Sequence, residues 1–257
     1  MVLSADCVNR SASDKRLIPI ATCLVLGLLS TDARADIVMS AAGLNATLRT
    51  MVRLEQQAAG GPDVQRAQAL FQIGVEADGL ASLINDEIVS HGMQERGLID
   101  LALSRTKEFG IVIAYNREKK KFFYDGAAFR QYLQAAPGGP HAADAEFVLL
   151  SYQFYQSTGT DMQALVAGAE AKQHFRARYP KFKGNAELGL YLAIDYRDLY
   201  RHYRDAHDAA NAERYRLLTR AEYQRITRQY SGTEQASSAR QLLRRFDEEV
   251  RSVTDPR

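Results

Sequence analysis

Cysteine is almost missing from this chain. Its 257 residues hold two, Cys7 and Cys23, both near the N-terminus. Beyond them there is no material for a disulfide framework, a thiolate metal site or a cysteine nucleophile. Tryptophan is absent and there are six prolines. No G-x-S-x-G, H-E-x-x-H or glycine-rich phosphate loop occurs, so the common signatures of serine hydrolases, zinc peptidases and nucleotide binders are lacking. No apolar run after residue 35 approaches the roughly 20 residues that cross a bilayer.

What stands at the start is an address. Lys15 and Arg16 precede the apolar run "LIPIATCLVLGLLS", and Ala33-Arg34-Ala35 follows it. A basic flank, a short apolar stretch and a small-x-small end make a secretory signal. Residues 1–35 are therefore read as a signal peptide cleaved after Ala35, with an uncleaved anchor as the alternative. Cys23 lies within the apolar run, because Leu24-Val25-Leu26 continue beyond it. It reads as a small apolar residue rather than a lipidated cysteine. The expected location is the periplasm, with no membrane span in the mature chain.

The composition is that of a folded protein, 46% hydrophobic and 25% charged. Charge is unevenly spread. Residues 36–170 carry 11 basic and 16 acidic side chains; residues 171–257 carry 18 and 12. In an exported protein the arginine-rich C-terminal third does not imply nucleic acid. Its charges alternate at helical spacing, which suits solvated helix faces with i,i+4 pairs. A partner-facing basic patch is the other reading.

Helical periodicity runs from Ile37 to Ala59, from Pro62 to about Ser90 and from Gln94 to Glu108, giving an N-terminal helical segment over 36–110. Gly74 and Gly79 lower the regularity of the second helix. The stretch "IVIAYNREKKKFFYDG" then sets β-branched and aromatic residues on both sides of a polar centre. It predicts a hairpin over 111–126, Ile111–Tyr115 against Lys121–Tyr124, with Lys119 to Lys121 at its tip. Such a hairpin is marginal alone and must pack on helices.

From 127 to 249 one set of offsets recurs three times. Phe129 is followed by Tyr132, Ala145 and Leu149; Lys172 by Phe175, Tyr179, Leu188 and Leu192; Tyr223 by Ile226, Tyr230, Ala239 and Leu243. Breaks fall at Pro137-Gly138, Pro180-Lys181 and Ser231-Gly232. This is the logic of a helix pair: apolar residues of one helix fill the seam, and a small or leucine residue of the next closes it. The starts are 43 and 51 residues apart, and Lys172 stands where an aromatic is expected. Four of the 13 tyrosines and two of the 10 phenylalanines fall at these packing positions, and core packing is the default reading for the others.

The segments "AEYQRITRQYSGTEQASSARQLLRRF" and "HFRARYPKFKGNAELGLYLA" resemble the repeats of periplasmic tetratricopeptide proteins. They look most like those of the outer-membrane assembly lipoprotein and of the cell-division coordinator linked to the Tol-Pal system. The resemblance implies a mainly α fold: an α-solenoid of about three helix pairs, after the N-terminal helices and the hairpin. It implies a non-enzymatic scaffold that binds an envelope protein or peptide. Residues 250–257 are expected to form a flexible tail.

One polar constellation stands out. Asp195, Asp198, His202 and Asp205 share a helix face, and Asp198, His202 and Asp205 could in principle hold a metal. Arg197, Arg201 and Arg204 interleave with them and oppose a cation. A salt-bridged solvated face is the better reading, so no cofactor and no catalytic residue is assigned. A small-ligand or metal-dependent protein with a helical-bundle pocket is the alternative function.

Overall fold

The computed structural model describes residues 39–91, 96–156 and 161–254, in which nine α-helices flank one two-stranded sheet. The signal peptide reading lies outside the described residues. Ser40 sets the first helix, its Oγ accepting from the Gly43 N–H at 3.1 Å. That cap starts α1 at Ala41 rather than at the expected Ile37, and α1 runs to Gly60. Met39, ahead of the cap, is buried, and its N–H donates to Glu87 at 3.0 Å.

The long helix α2, Asp63–His91, is the hub of the N-terminal half. It packs against α1, against the sheet and against α4, Ala127–Ala135. α3, Arg96–Glu108, lies on α1. α3 closes when the Ile111 N–H returns to the Thr106 carbonyl at 3.0 Å. This bond spends Ile111 on the helix end, so β1 is Ile113–Asn116 and does not begin at Ile111. β2 is Lys121–Tyr124, antiparallel, with Ile113 opposite Tyr124 and Asn116 opposite Lys121. The tip is therefore 117–120, and Lys121 already belongs to the strand.

The hairpin does rest on a helix. Asn85 of α2 donates to the Phe122 carbonyl at 2.8 Å and accepts from the Phe122 N–H at 2.7 Å. One side-chain amide thus stands in for a neighbouring strand.

The remaining helices are α5 (Ala142–Gln156), α6 (Met162–Arg178), α7 (Asn185–Asp205), α8 (Ala209–Gln229) and α9 (Glu234–Thr254). Each packs on the next in sequence. Their apolar clusters are similarly local. One core spans α1 to the start of α5, crossing residue 127 without a break. Smaller ones join α5–α6–α7, α6–α7–α8–α9 and α7–α8–α9. α9 remains helical through Thr254, because Phe246 and Val250 hold its last turns on the neighbouring helices. The tail expected at 250–257 is therefore helical as far as 254.

Three turns share one hydrogen-bond pattern. Helices α4, α6 and α8 end at Ala136, Tyr179 and Tyr230, whose N–H groups donate to Tyr132, Phe175 and Ile226 at 2.8, 2.8 and 3.0 Å. Each of those cap carbonyls then accepts from the residue three on, Gly139, Phe182 and Thr233, at 3.0–3.1 Å. The caps all fall seven residues after Phe129, Lys172 and Tyr223.

α2 and α4 come into close contact at Gly74. A Cβ there would lie 2.7 Å from two ring carbons of Phe129. Gly79, on the exposed side, faces open space. Gly74→Ala should lose about 1–3 kcal/mol through overpacking. Gly79→Ala should gain about 0.5–1 kcal/mol from helix propensity. Urea unfolding of the two variants side by side checks the contrast.

Candidate functional site

Between α6, α7 and α8 lies an open cleft of about 570 Å³. Its polar lining is built from both rims. On α6, Arg176 reaches across to Glu222 of α8 at 2.5 Å. Arg225, one turn further along α8, binds the same carboxylate oxygen at 2.6 Å. Gln173 donates to the Tyr196 hydroxyl of α7 at the floor. Gly189 of α7 sits beneath the ion pair, where a Cβ would come 2.6 Å from Arg225 Nη2 and 2.9 Å from Glu222 Oε1. The bare backbone is what lets the buried Glu222 and its two arginines fit between α7 and α8. Two guanidiniums against one carboxylate leave the cleft with an excess of positive charge.

Below this surface lies a fully buried ion pair. Lys172 Nζ of α6 is 2.7 Å from Asp195 Oδ2 of α7, with 2% and 5% of the side chains exposed. Lys172 also donates to the Gly168 carbonyl at 3.2 Å and sits 5.6 Å from the Phe154 ring centre. Burial pushes the Asp195 carboxyl up to about 6, with the Lys172 ammonium working against that shift. Lys172 thus occupies an aromatic packing position with its stem and neutralises its head internally.

The other repeat positions can be placed directly. Phe129 and Tyr223 are buried where Lys172 is, and Tyr132, Phe175 and Ile226 one turn later. Ala145, Leu188 and Ala239 are buried on the facing helices, as is Leu192. Leu149, Leu243, Tyr179 and Tyr230 are half-buried at the margins. All are packing groups, so the cleft residues Gln173, Arg176, Glu222 and Arg225 were not among the sequence candidates. Their only sequence signal is i,i+3 spacing of Gln173–Arg176 and Glu222–Arg225, which any exposed helix shares.

The aspartate–histidine stripe divides. Asp195 is not part of a solvated face: it turns into the α6–α7 seam to meet Lys172. Asp198 pairs with Arg197 at 3.2 Å and Arg201 at 3.5 Å, and Asp205 with Arg204 at 2.7 Å. Arg201 and Arg204 also reach Glu249 of α9. His202 is exposed, edge-on to Tyr203. Among the described residues no group of three or more histidine, cysteine, aspartate or glutamate side chains could hold a metal ion. None of the described helices is long and apolar enough to cross a membrane.

No family model matches the chain, and no curated protein matches it in sequence.

Two tests follow from the buried pair. Lys172→Met should cost about 3–5 kcal/mol, because it strands a buried carboxylate, whereas Lys172→Phe with Asp195→Leu should be near neutral or stabilising. Equal losses in both variants would show that the position does not behave as core. The second test is in pH. The folded Asp195 carboxyl titrates near 6 against an ordinary 3.8, so its contribution is present below the lower value and is lost as pH rises through about 6. The stability difference between wild type and Asp195→Asn should therefore shrink from pH 4 to pH 6 and stay flat above. Denaturant titrations at each pH measure it.

Proposed function

We propose that the protein is an exported, non-enzymatic adaptor of the cell envelope. In this reading α4–α5, α6–α7 and α8–α9 form a tetratricopeptide-like solenoid, and the α6–α8 surface binds an envelope protein or an extended peptide. The observation that carries it is the threefold return of one helix end and one turn at one sequence offset. Packing of each helix chiefly on its sequence neighbours and on the helix one beyond supports it too, since solenoids are built that way. The cleft supplies polar anchors on rigid helices, Gln173, Arg176 and Arg225, which suits recognition of a partner's acidic groups. The periplasmic address rests on the N-terminal sequence pattern alone.

The size of the cleft favours one rival, a small-ligand protein that uses it as a pocket. Metal dependence is the weaker form of that rival. Identical melting of wild type and the Asp198→Ala, His202→Ala double variant, with and without added zinc, would remove it.

The adaptor reading is tested by capture in the native envelope. The full chain, tagged at its C-terminus, is crosslinked in its own host and the retained proteins identified. The expected outcome is one specific envelope protein, lost when Arg176 and Arg225 are changed to glutamate in a variant whose circular dichroism is unchanged. Recovery of the bait alone, from a folded and abundant protein, would overturn it in favour of the pocket.

A further inference from the structure

The two edges of the hairpin are treated differently. In an antiparallel pair, alternate residues turn their N–H and C=O groups into the ladder and the others turn them outward. The Asp125 N–H donates to the Val112 carbonyl at 3.0 Å. With the observed register, that makes Ala114·Phe123 and Asn116·Lys121 the bonded pairs. The outward groups are then those of Phe122 and Tyr124 on β2 and of Ile113 and Tyr115 on β1. On β2 both groups of Phe122 are taken by Asn85, and Tyr124 is buried. On β1 the N–H and C=O groups of Ile113 and Tyr115 meet no partner among the described residues.

An open strand edge is a template for another strand, and proteins commonly blunt it with charge on the strand or cover it. β1 carries no charge, its sequence being Ile-Ala-Tyr-Asn. Its exposed side chains are apolar or aromatic: Val112 just before it is 47% exposed and Tyr115 48%. Charge gathers instead at its C-terminal end. Arg117, Lys120 and Lys121 have no ion-pair partner among the described residues, while Lys119 pairs with Glu118 at 3.6 Å.

We propose that the β1 edge accepts an extended segment of a partner protein as a third strand, with acidic residues of that segment meeting the cationic turn. Backbone bonds to Ile113 and Tyr115 supply the register. Val112 and Tyr115 give the strand an apolar and aromatic neighbour. Arg117, Lys120 and Lys121 select for carboxylates at the end that lies beside the turn. A second copy of β1 would satisfy the backbone, but its strand, Ile-Ala-Tyr-Asn, carries no acidic side chain, so charge complementarity favours the acidic peptide. The surface is built on α2 and is separate from the α6–α8 cleft.

The probe is a short fluorescein-labelled peptide of alternating valine and threonine with glutamates at its N-terminal end, the end beside the turn in an antiparallel pairing. Its partner probe carries lysines in their place. Anisotropy titration against the full chain should show the acidic peptide binding about tenfold more tightly or better. Tyr115→Pro removes one outward N–H and leaves the ladder bonds to β2 intact, a substitution that edge strands tolerate. It should weaken binding by about tenfold or more, with melting unchanged. If that variant melts low, Arg117→Glu, Lys120→Glu, Lys121→Glu carries the test and should reverse the preference between the two peptides. Absence of binding by the acidic peptide, equal affinity for both peptides, or unchanged binding in the folded variants overturns the proposal. A dimer seen in sedimentation velocity and lost in Tyr115→Pro also overturns it, by assigning the edge to a second copy.

Discussion

The contact between Gly74 and Phe129 joins the two halves of this molecule. α1, the hairpin and, through α1, α3 are organised on α2, while the helix pairs begin at α4. The two groups meet where a helix without a side chain lets an aromatic ring press onto its backbone. Phe71 turns its edge to the same ring, and Tyr132 and His141 close the group from the α4–α5 side. A ring seated this deeply fixes the axial position of α4 along α2. Every later helix inherits its placement from α4, because each rests chiefly on the one before it.

From there the structure propagates by repetition with one substitution of means. At the three equivalent positions two pairs use an aromatic ring and one uses a lysine neutralised by an aspartate. The geometry of the turn that follows is the same in all three. The seam can therefore be filled by a ring or by an aliphatic stem with an internal counter-ion. The ionic solution brings a charged pair into the interior, where the other two positions hold uncharged rings. The two residues of that pair directly precede Gln173 and Tyr196, which line the cleft.

Much of the helix content was legible because its signals are local. Pro137-Gly138, Pro180-Lys181 and Ser231-Gly232 break the chain wherever a helix pair turns, and breaking residues act within a few positions. The hairpin was legible for the same reason. What escaped is non-local. Asn85 meets Phe122 across 37 residues, Lys172 meets Asp195 across 23, and Arg176 meets Glu222 across 46. Nothing in the spacing of Asp195, Asp198, His202 and Asp205 tells that the first faces a neighbouring helix and the others solvent. A stripe at helical period names a face without saying what lies opposite. Gly74 and Gly189 looked like weaknesses or went unremarked, because a close approach is visible only once both surfaces are present.

The largely sequential packing of α4 to α9 has a mechanical side. A chain whose layers touch only the adjacent layers has no single clasp that holds both ends at once. Pulled at its two ends, such an arrangement yields layer by layer rather than all at once. Extension of the folded protein would then be graded, a compliance that a single cooperative core lacks.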